Sequence, residues 1–249
     1  MKQSPKQRLD QILVNRGLVE SRAKAQALIM AGKVFSGERK LEKAGQQVKE
    51  DIALDVRGQD HPWVSRGGLK LAHAIEAFSI NVDGAIGVDV GASTGGFTDV
   101  LLSNGAARVY AVDVGHGQLA WRIRSDERVE VLEKTNARYL TAEQIPEPVD
   151  IVVCDASFIS LKTVLPAAMA LTKPTGRLVA LIKPQFEAGR EQVGKGGVVR
   201  DPGVHQAVCE EIRAWLDGLD GWQVEGIETS PITGPEGNVE FLIYATRMC

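Results

Sequence analysis

The stretch GVDVGASTGGFTDVLL, residues 87–102, decides the fold. Its apolar start leads through Asp89 into a turn of glycine, alanine, serine and threonine at 91–96, after which an apolar, helix-like run resumes. A strand pattern, a bare turn and a helix pattern in that order indicate a strand-turn-helix unit whose turn lies close to a ligand. The identity of that ligand depends on what the rest of the chain supplies.

The rest of the chain extends this unit into an α/β sheet. Seven segments have strand patterns, and helix-like stretches separate the first five, which predicts a parallel sheet with helices on both faces. The last two segments are joined by the short turn SPITGPEG (230–237), so the last strand should run antiparallel. The predicted strands are 86–91, 109–114, 129–132, 150–155, 177–183, 222–229 and 238–246. We therefore predict the α/β class, with a Rossmann-like seven-stranded sheet and an antiparallel last strand.

The composition is that of an ordinary soluble globular chain. Of its 249 residues 44% are hydrophobic, and nowhere do about eighteen apolar residues run together, so we expect neither secretion nor a membrane span. The three cysteines, Cys154, Cys209 and Cys249, are scattered and lack metal-ligand spacing. We expect a reduced, cytoplasmic protein with no disulfide framework and no metal site.

Charge is divided unevenly along the chain. The net charge is −3, yet residues 1–49 carry +7, which leaves −10 on the remaining 200 residues. A small basic head on an acidic body favours RNA or DNA as the partner of the head. A solvated charged face would give the same local pattern.

The basic head has the pattern of a small α+β unit. Apolar residues recur at helical spacing in a first helix that ends at Gly17, and a second helix begins at an N-cap, Ser21, and ends at Gly32. Short strands with turns at 36–37 and 50–51 follow. Over residues 8–56 the order of motifs resembles the S4-like RNA-binding domain, which implies binding to structured RNA by shape. The candidate RNA-binding residues are Arg8, Arg22, Lys24, Lys33, Lys40 and Arg66.

A polar segment rich in glycine and proline, RGQDHPWVSRGG (57–68), separates head and body. We predict an RNA-binding domain at 1–59, a linker at 60–66 and a second domain at 67–249. A helix pattern resumes at Leu71 and leaves Lys70 near the helix start, off its buried face. The long loop at 184–200 is glycine-rich and charged, which favours a substrate lid.

The turn at 91–96 can be compared with three known motifs: the dinucleotide-binding fingerprint, the P-loop and the serine nucleophile elbow. Ser93 stands where a dinucleotide fingerprint needs its second glycine, and the turn lacks the lysine of a P-loop. Gly91 to Gly95 matches the G-x-S-x-G nucleophile elbow literally, but the one late histidine, His205, falls in a helix pattern rather than after a terminal strand. A serine hydrolase is therefore disfavoured.

A nucleoside without phosphates explains the turn better. Asp113 closes the second strand about twenty residues after the turn, where a carboxylate can accept hydrogen bonds from both ribose hydroxyls. S-adenosylmethionine fits this arrangement. Asp89 could meet the cofactor's ammonium group or support the helix dipole, and the sequence leaves both open. The candidate cofactor-binding residues are Asp89, Gly91, Ala92, Ser93, Thr94, Gly95, Gly96, Phe97, Asp113 and Asp155.

Two strand ends carry charges unusual for such apolar strands, namely Asp155 in VVCDAS and Lys183 in ALIKPQFE. A lysine that snorkels at the sheet rim is the ordinary explanation for the second. However, the chain resembles the ribose 2′-O-methyltransferases of the FtsJ/RrmJ type, whose signature is a Lys-Asp-Lys-Glu tetrad. The matching positions, which the resemblance implies are catalytic, are Lys70, Asp155, Lys183 and Glu240.

With its RNA-binding head, the whole chain resembles the TlyA family of ribosomal RNA cytidine 2′-O-methyltransferases, which carries an older haemolysin label. The combination VSRGG.KL, DVGASTGGFTD, CDASFISL, LIKPQFE and GN.EF carries this resemblance. It implies methyl transfer from S-adenosylmethionine to a ribose 2′-hydroxyl of ribosomal RNA or of ribosomal subunits. The alternatives are a non-catalytic ribosome-assembly factor and a membrane-lytic protein.

The tetrad residues suit this chemistry. The hydroxyl must be held in line with the methyl group and lose its proton, so we expect Lys183 to act as the base. Lys70 and Glu240 would orient the base and the ribose, and Asp155 would fix the lysine and the cofactor end. Burial and a second ammonium group favour a neutral lysine whereas carboxylates oppose it, and the sequence does not decide between them.

Overall fold

The computed structural model describes residues 5–16, 18–19, 21–57, 61–234 and 236–248. Three features expected from the sequence lie outside these ranges: the first helix end at Gly17, the domain boundary at 59–60 and the tail residue Cys249. The other two cysteines are free thiols, Cys154 buried and Cys209 half-buried. Within the described ranges, every helix is too short or too polar to traverse a bilayer.

In the described part of the N-terminal unit there are two helices and five short strands. They are β1 (Lys6–Arg8), α1 (Leu9–Asn15), α2 (Arg22–Met30), β2 (Val34–Ser36), β3 (Arg39–Lys40), β4 (Gln47–Lys49) and β5 (Asp55–Val56). The Ser21 hydroxyl accepts a hydrogen bond from the Lys24 amide, so the predicted N-cap is confirmed. The sequence did not predict β1, which pairs antiparallel with β4, because three residues are too few for a visible alternation.

The core of this unit is formed where the two helices face each other. Leu9, Ile12 and Leu13 of α1 are fully buried against Ala25 and Ile29 of α2. The predicted helical spacing of both segments is therefore confirmed. The strand order β3-β2-β5 completes a small sheet beside the helices.

The body contains seven strands and six helices within the described ranges. They are α3 (Gly67–Ala77), β6 (Ile86–Val90), α4 (Gly96–Ser103), β7 (Arg108–Asp113), α5 (Trp121–Arg124), β8 (Val129–Glu133), β9 (Val149–Cys154), α6 (Leu161–Ala170), β10 (Thr172–Ile182), α7 (Pro184–Glu187), α8 (Pro202–Asp217), β11 (Trp222–Thr229) and β12 (Phe241–Arg247). Single 3₁₀ turns lie at Ala137–Tyr139 and Arg190–Gln192.

These strands form one mixed sheet in the order β11-β12-β10-β9-β6-β7-β8. Strand β12 runs antiparallel to both of its neighbours, and the pairs among β10, β9, β6, β7 and β8 are parallel. The predicted α/β class, the seven strands and the antiparallel last strand are confirmed. Helices α6 and α8 cover one face of the sheet, while α3, α4 and α5 cover the other.

Some element boundaries differ from those predicted. Strand β10 begins at Thr172 rather than 177, with a register irregularity before Arg177 where Pro174 and Gly176 break the strand pattern. Strand β12 begins at Phe241 rather than 238. Between β8 and β9 the chain forms only a 3₁₀ turn, because prolines at 146 and 148 leave little room for a helix.

Head and body contact each other directly at the turn that follows β6. The Thr94 hydroxyl donates to the carbonyl oxygen of Arg16 at the end of α1, and the Arg16 guanidinium donates to the carbonyl oxygens of Glu50 and Ile52. The connecting segment is held on α4, since the Val64 amide donates to Asp99 Oδ2 at 2.8 Å. The turn predicted to bind a ligand is therefore packed against the N-terminal unit.

Candidate active site

The glycine turn between β6 and α4 brings three backbone segments together. Gly91 (φ +82°), Ser93 (φ +48°) and Gly95 (φ +95°) all have left-handed backbone conformations. A Cβ on Gly91 would lie 2.9 Å from Ala156 Cα, and one on Gly96 would lie 2.9 Å from the Gly68 nitrogen. The glycines are required for close backbone packing as well as for any ligand, which the sequence alone did not reveal.

A cavity of about 640 Å³ opens beside this turn at the carboxyl edge of the sheet. It is lined by Lys70, Asp89, Gly91, Ala92, Ser93, Thr94, Gly96, Phe97, Asp155, Lys183 and Glu240, together with residues of the 65–67, 157–158, 185–186, 196–197 and 232–234 segments and Glu236. Two of the predicted cofactor-binding residues, Gly95 and Asp113, lie outside this lining. Gly95 instead packs against Leu119 and Ile123 beneath the start of α4.

Strand register brings the four predicted catalytic residues to one place. Ile182 of β10 pairs with Phe241 of β12, so Lys183, which follows the first, and Glu240, which precedes the second, meet at the same edge of the sheet. Asp155 follows the neighbouring strand β9 at this edge. Only an antiparallel β12 brings the residue before a strand to the carboxyl edge of the parallel strands.

Helix α3 supplies the fourth residue. Leu71 and Ala74 are buried against α4 and the sheet, and Lys70 precedes Leu71 on the side that faces the cavity. The expectation that Lys70 lies off the buried face is wrong in one respect, since its side chain is only 9% exposed. It is buried because it reaches carboxylates rather than solvent.

Together these residues form a compact network of alternating charge. Lys70 Nζ lies 3.2 Å from Asp155 Oδ2 and 2.7 Å from Glu240 Oε2, and Lys183 Nζ lies 2.6 Å from Asp155 Oδ1. Burial alone would raise the pKa of Asp155, but the ammonium groups of Lys183 and Lys70 outweigh it and hold that pKa below its ordinary value. Burial likewise opposes charge on Lys70, yet Asp155 and Glu240 raise the pKa of Lys70 above its ordinary value.

Lys183 also contacts two oxygen atoms that the sequence did not single out. Its Nζ donates to the Asp155 carbonyl oxygen at 3.1 Å and to the Ser157 hydroxyl oxygen at 2.9 Å. Ser157 is exposed and also lines the cavity. Glu240, by contrast, forms its ion pair with Lys70.

Asp89 is fully buried and combines features of both sequence hypotheses. Its Oδ2 accepts hydrogen bonds from the amide and hydroxyl of Thr98 in the first turn of α4, at 2.9 and 2.7 Å. Its Oδ1 has no hydrogen-bond partner among the described residues, and the residue lines the cavity. Burial raises the pKa of Asp89 to about 7 despite the bonds from Thr98.

Asp113 lies at the end of β7, as predicted, and its carboxylate ties two loops together. Oδ2 accepts from the Ser93 amide at 2.8 Å and Oδ1 accepts from the Gly115 amide at 2.6 Å. The Ser93 hydroxyl also donates to Gln118 Oε1 at 3.2 Å. Asp113 therefore shapes the same turn that lines the cavity.

The predicted RNA-binding residues differ in how strongly the protein itself engages them. Arg8 and Arg22 both bind the buried carboxylate of Asp10, whose pKa Arg8 in particular holds well below its usual range. Lys24 and Lys33 are exposed, whereas Lys40 lies 3.5 Å from Glu42. Arg66 lines the cavity rather than the surface of the head.

An aromatic pair that no sequence motif indicated lies at the mouth of the cavity. Phe158 is 89% exposed, has a positive φ of 64° and lies with its ring centroid 5.1 Å from that of Phe186. The sequence gives no signal for such an exposed ring, because a phenylalanine usually indicates a buried position in the core. A strained backbone that exposes a large apolar ring beside a charged cluster is typical of a functional surface.

Fold and site together define a Rossmann-like domain with a nucleoside-sized cavity and a paired-lysine, paired-acid centre, joined to a small basic domain. Comparisons agree: residues 63–247 match the family of FtsJ-like methyltransferases, and residues 7–51 match the S4 domain. The chain belongs to the FtsJ-like methyltransferase family, within the TlyA group that its sequence resembles. S-adenosylmethionine is its cofactor.

Three individual proteins illustrate this relationship. The chain is 50% identical over 238 residues to the 16S/23S rRNA (cytidine-2′-O)-methyltransferase TlyA of Mycobacterium tuberculosis. The matched region covers 95% of this chain and 88% of that protein. It is 39% identical to Hemolysin A of Brachyspira hyodysenteriae, over 95% of this chain and 98% of that one. A solved chain from Streptococcus thermophilus that carries a hemolysin name superposes with a TM-score of 0.79 at 43% identity, covering 98% of this chain and 89% of that one.

Proposed function

We propose that this protein transfers a methyl group from S-adenosylmethionine to the 2′-hydroxyl of a cytidine in ribosomal RNA. The observation that carries the proposal is the buried Lys70–Asp155–Lys183–Glu240 network, which opens on the cavity beside the glycine turn. The named activity of the Mycobacterium tuberculosis relative supports the same reaction and the same nucleoside.

The described residues fit the cofactor. Asp89 offers a buried carboxylate oxygen without a partner among them, which suits a cationic amino group, and the turn at 91–97 offers a small-residue wall. When bound, S-adenosylmethionine supplies an electrophilic methyl group on a sulfonium centre. Asp113, which already orders this turn, would accept hydrogen bonds from the cofactor ribose, and Gly95 supports the turn from below.

The network residues divide the remaining work. Lys183 is the candidate base, because it lines the cavity and its nitrogen donates to the hydroxyl of Ser157, which is exposed there. Asp155 fixes that nitrogen through both its carboxylate and its carbonyl oxygen. Lys70 balances the second oxygen of Asp155, and Glu240 holds Lys70, so Glu240 acts on the base through two intervening residues, Lys70 and Asp155.

Two physical contributions account for most of the rate. Holding the ribose oxygen in line with the methyl group accounts for about 7–11 kcal/mol of barrier reduction in well-oriented systems. A positioned base adds roughly 10²–10⁴-fold. The rigid, ion-paired network supplies the second contribution and helps with the first.

The exposed ring of Phe158, braced by Phe186, is the candidate platform for the target base. Single-stranded or flipped bases bind proteins mainly by stacking on aromatic rings, and Phe158 presents one at the cavity mouth. The segment at 184–200 was predicted to be a loop, but it contains α7 and a 3₁₀ turn; it contributes Phe186 and Gly197 to the lining and is the candidate lid over the substrate.

The basic head provides the second point of RNA contact. Lys24, Lys33 and Lys40 present cations from the S4 domain, and Arg66 places another at the cavity. Because head and body touch through Thr94 and Arg16, RNA held by one is held near the other. We propose that the substrate is presented in ribosomal subunits and that the protein acts in the cytoplasm, where those subunits assemble.

Labelled methyl transfer tests the proposal. Wild-type protein, labelled S-adenosylmethionine and unmodified ribosomal subunits or deproteinised ribosomal RNA should yield label in an alkali-resistant dinucleotide, because a 2′-O-methyl group blocks alkaline cleavage. Lys183→Ala should lose transfer while binding S-adenosylhomocysteine as tightly as wild type. Lys162→Ala, which removes an ion pair with Glu211 on α8, serves as the matched control.

Two results would contradict the proposal. RNA that stays unlabelled under all these conditions would leave only an RNA-binding factor. Full methylation by Lys183→Ala with unchanged cofactor affinity would remove Lys183 as the base.

A further inference from the structure

The Lys183 nitrogen has three oxygen neighbours among the described residues. They are Asp155 Oδ1 at 2.6 Å, the Asp155 carbonyl oxygen at 3.1 Å and Ser157 Oγ at 2.9 Å. A charged Lys183 donates hydrogen bonds to the Asp155 carbonyl oxygen and to Ser157 Oγ, and its third neighbour, Asp155 Oδ1, lies at ion-pair distance. In that charged state Lys183 has no lone pair with which to accept a proton.

In the neutral state, in which Lys183 can act as a base, a lone pair replaces one of the three N–H bonds. A neutral amine has two N–H bonds and one lone pair, and the lone pair must face a group that can donate a hydrogen. A carbonyl oxygen and an ionised carboxylate carry none, whereas the Ser157 hydroxyl does. Among these three neighbours, Ser157 is therefore the one that the lone pair of a neutral Lys183 can face.

Ser157 is also the member of this group that the substrate reaches first. It is exposed and lines the cavity, while the Lys183 side chain is only 7% exposed. The turn that carries it is fixed on both sides: Gly91 packs against the backbone of Ala156, and Phe158 has a left-handed backbone conformation. A hydroxyl held so firmly between solvent and the base has the placement of a proton carrier.

We propose that Ser157 is a further catalytic residue, which relays the proton of the target ribose hydroxyl to Lys183. The inference rests on the proposed function. As the bond between the ribose oxygen and the methyl carbon forms and the sulfur–methyl bond breaks, the ribose proton passes to Ser157 Oγ. The Ser157 proton passes at the same time to Lys183 Nζ. The sulfonium positive charge thus ends on the lysine, and the products are a neutral thioether and a methylated ribose.

Substitution at 157 tests the relay. Ser157→Ala should lower the single-turnover rate of methyl transfer about 10²-fold at saturating RNA and cofactor, because the base loses its connection to the substrate. Its affinity for S-adenosylhomocysteine should stay within twofold of wild type, which also shows that the variant is folded. Ser157→Thr keeps a hydroxyl at the same atom and should recover most of the rate.

A solvent isotope measurement on the wild-type protein tests the relay without any substitution. Two protons in flight give a curved dependence of the single-turnover rate on the deuterium fraction, whereas direct transfer to Lys183 gives a straight line. A straight line, or a Ser157→Ala rate within twofold of wild type, would overturn the relay.

The same experiments separate the relay from the proposed function. An inactive Lys183→Ala beside a fully active Ser157→Ala removes the relay and leaves the methyltransferase proposal intact. A wild-type protein that transfers no methyl group to RNA removes both.

Discussion

At the scale of single residues, the buried carboxyl group of Asp89 makes stability depend on pH. Burial raises its pKa in the folded protein to about 7, whereas an aspartate in an unfolded chain titrates near ~3.9. Between these values the folded protein keeps a proton that the unfolded chain releases. The stabilising contribution is complete below about pH 4 and is lost as pH rises through about 7.

Asp89→Asn tests this dependence. The amide oxygen can still accept from Thr98, but the side chain has no proton to lose. Urea denaturation should show that the free energy of unfolding of wild type falls relative to the variant by about 2–3 kcal/mol between pH 5 and pH 8. Asp83→Asn, at an exposed aspartate, should leave the two pH curves parallel. Parallel curves for Asp89→Asn as well would contradict a raised pKa.

The charged residues at strand ends were the ones the sequence could predict. Lysine and aspartate are rare after fully apolar strands, so Asp155 and Lys183 were visible as exceptions, and the family resemblance added Lys70 and Glu240. Ser157 and Phe158 could not be recognised from the sequence. Serine is an ordinary residue in a loop, and phenylalanine is an ordinary residue in a core. The roles proposed for them rest on a 2.9 Å contact and an 89% exposed ring, which only the folded structure reveals.

At the scale of secondary-structure elements, the antiparallel strand β12 explains how the site is assembled. Parallel strands deliver residues that follow them, such as Asp155 and Lys183, to the carboxyl edge. An antiparallel strand delivers the residue before it, which is Glu240. The sequence predicted this reversal from the short turn at 230–237, because so short a connection cannot cross the sheet.

Element boundaries were predicted less well than element order. Order follows from long apolar patterns, which are robust, whereas the start of β10 depends on how Pro174 and Gly176 are accommodated by an irregular register. Strand β1 exists only because β4 pairs with it. Such features depend on tertiary partners that local patterns do not contain.

The junction between the β6 turn and the end of β9 gives an element-scale prediction. Gly91→Ala places a Cβ 2.9 Å from Ala156 Cα at a φ of +82°, so backbone strain and overlap should lower the free energy of unfolding by about 2–4 kcal/mol. Gly84→Ala is the matched control, because its φ is +67° but nothing lies within 4 Å of its Cβ. It should cost about 1–2 kcal/mol.

Activity should separate these two variants more sharply than stability does. Pushing the 155–157 segment away moves Asp155 and Ser157 from Lys183, so Gly91→Ala should lose methyl transfer even at a temperature where it is fully folded. Gly84→Ala should keep wild-type activity there. Equal activities in folded samples would show that the junction does not position the network.

At the scale of the whole molecule, the distribution of charge separates two tasks. The head concentrates +7 on residues 1–49 and the rest of the chain carries −10, so RNA is attracted to one end of an otherwise repelling protein. Within the head, Arg8 and Arg22 are partly committed to Asp10. Exposed lysines that have no carboxylate partner among the described residues should therefore bind most of the phosphates.

Lys24 and Lys33 meet that description, and the salt dependence of RNA binding measures their contribution. Removing one lysine that binds a phosphate should lower the slope of log affinity against log salt concentration by about 0.7–0.9, so Lys24→Ala/Lys33→Ala should lower it by about 1.4–1.8. Filter binding of ribosomal RNA over a range of potassium chloride concentrations gives the slope. Lys173→Ala removes an ion pair with Asp150 at the edge of the sheet opposite the cavity. It should leave the salt-dependence slope and the affinity for RNA unchanged. Affinity for S-adenosylhomocysteine should not change in either variant, because the cofactor cavity lies in the body. A double variant with the wild-type slope would place the RNA on another face of the molecule.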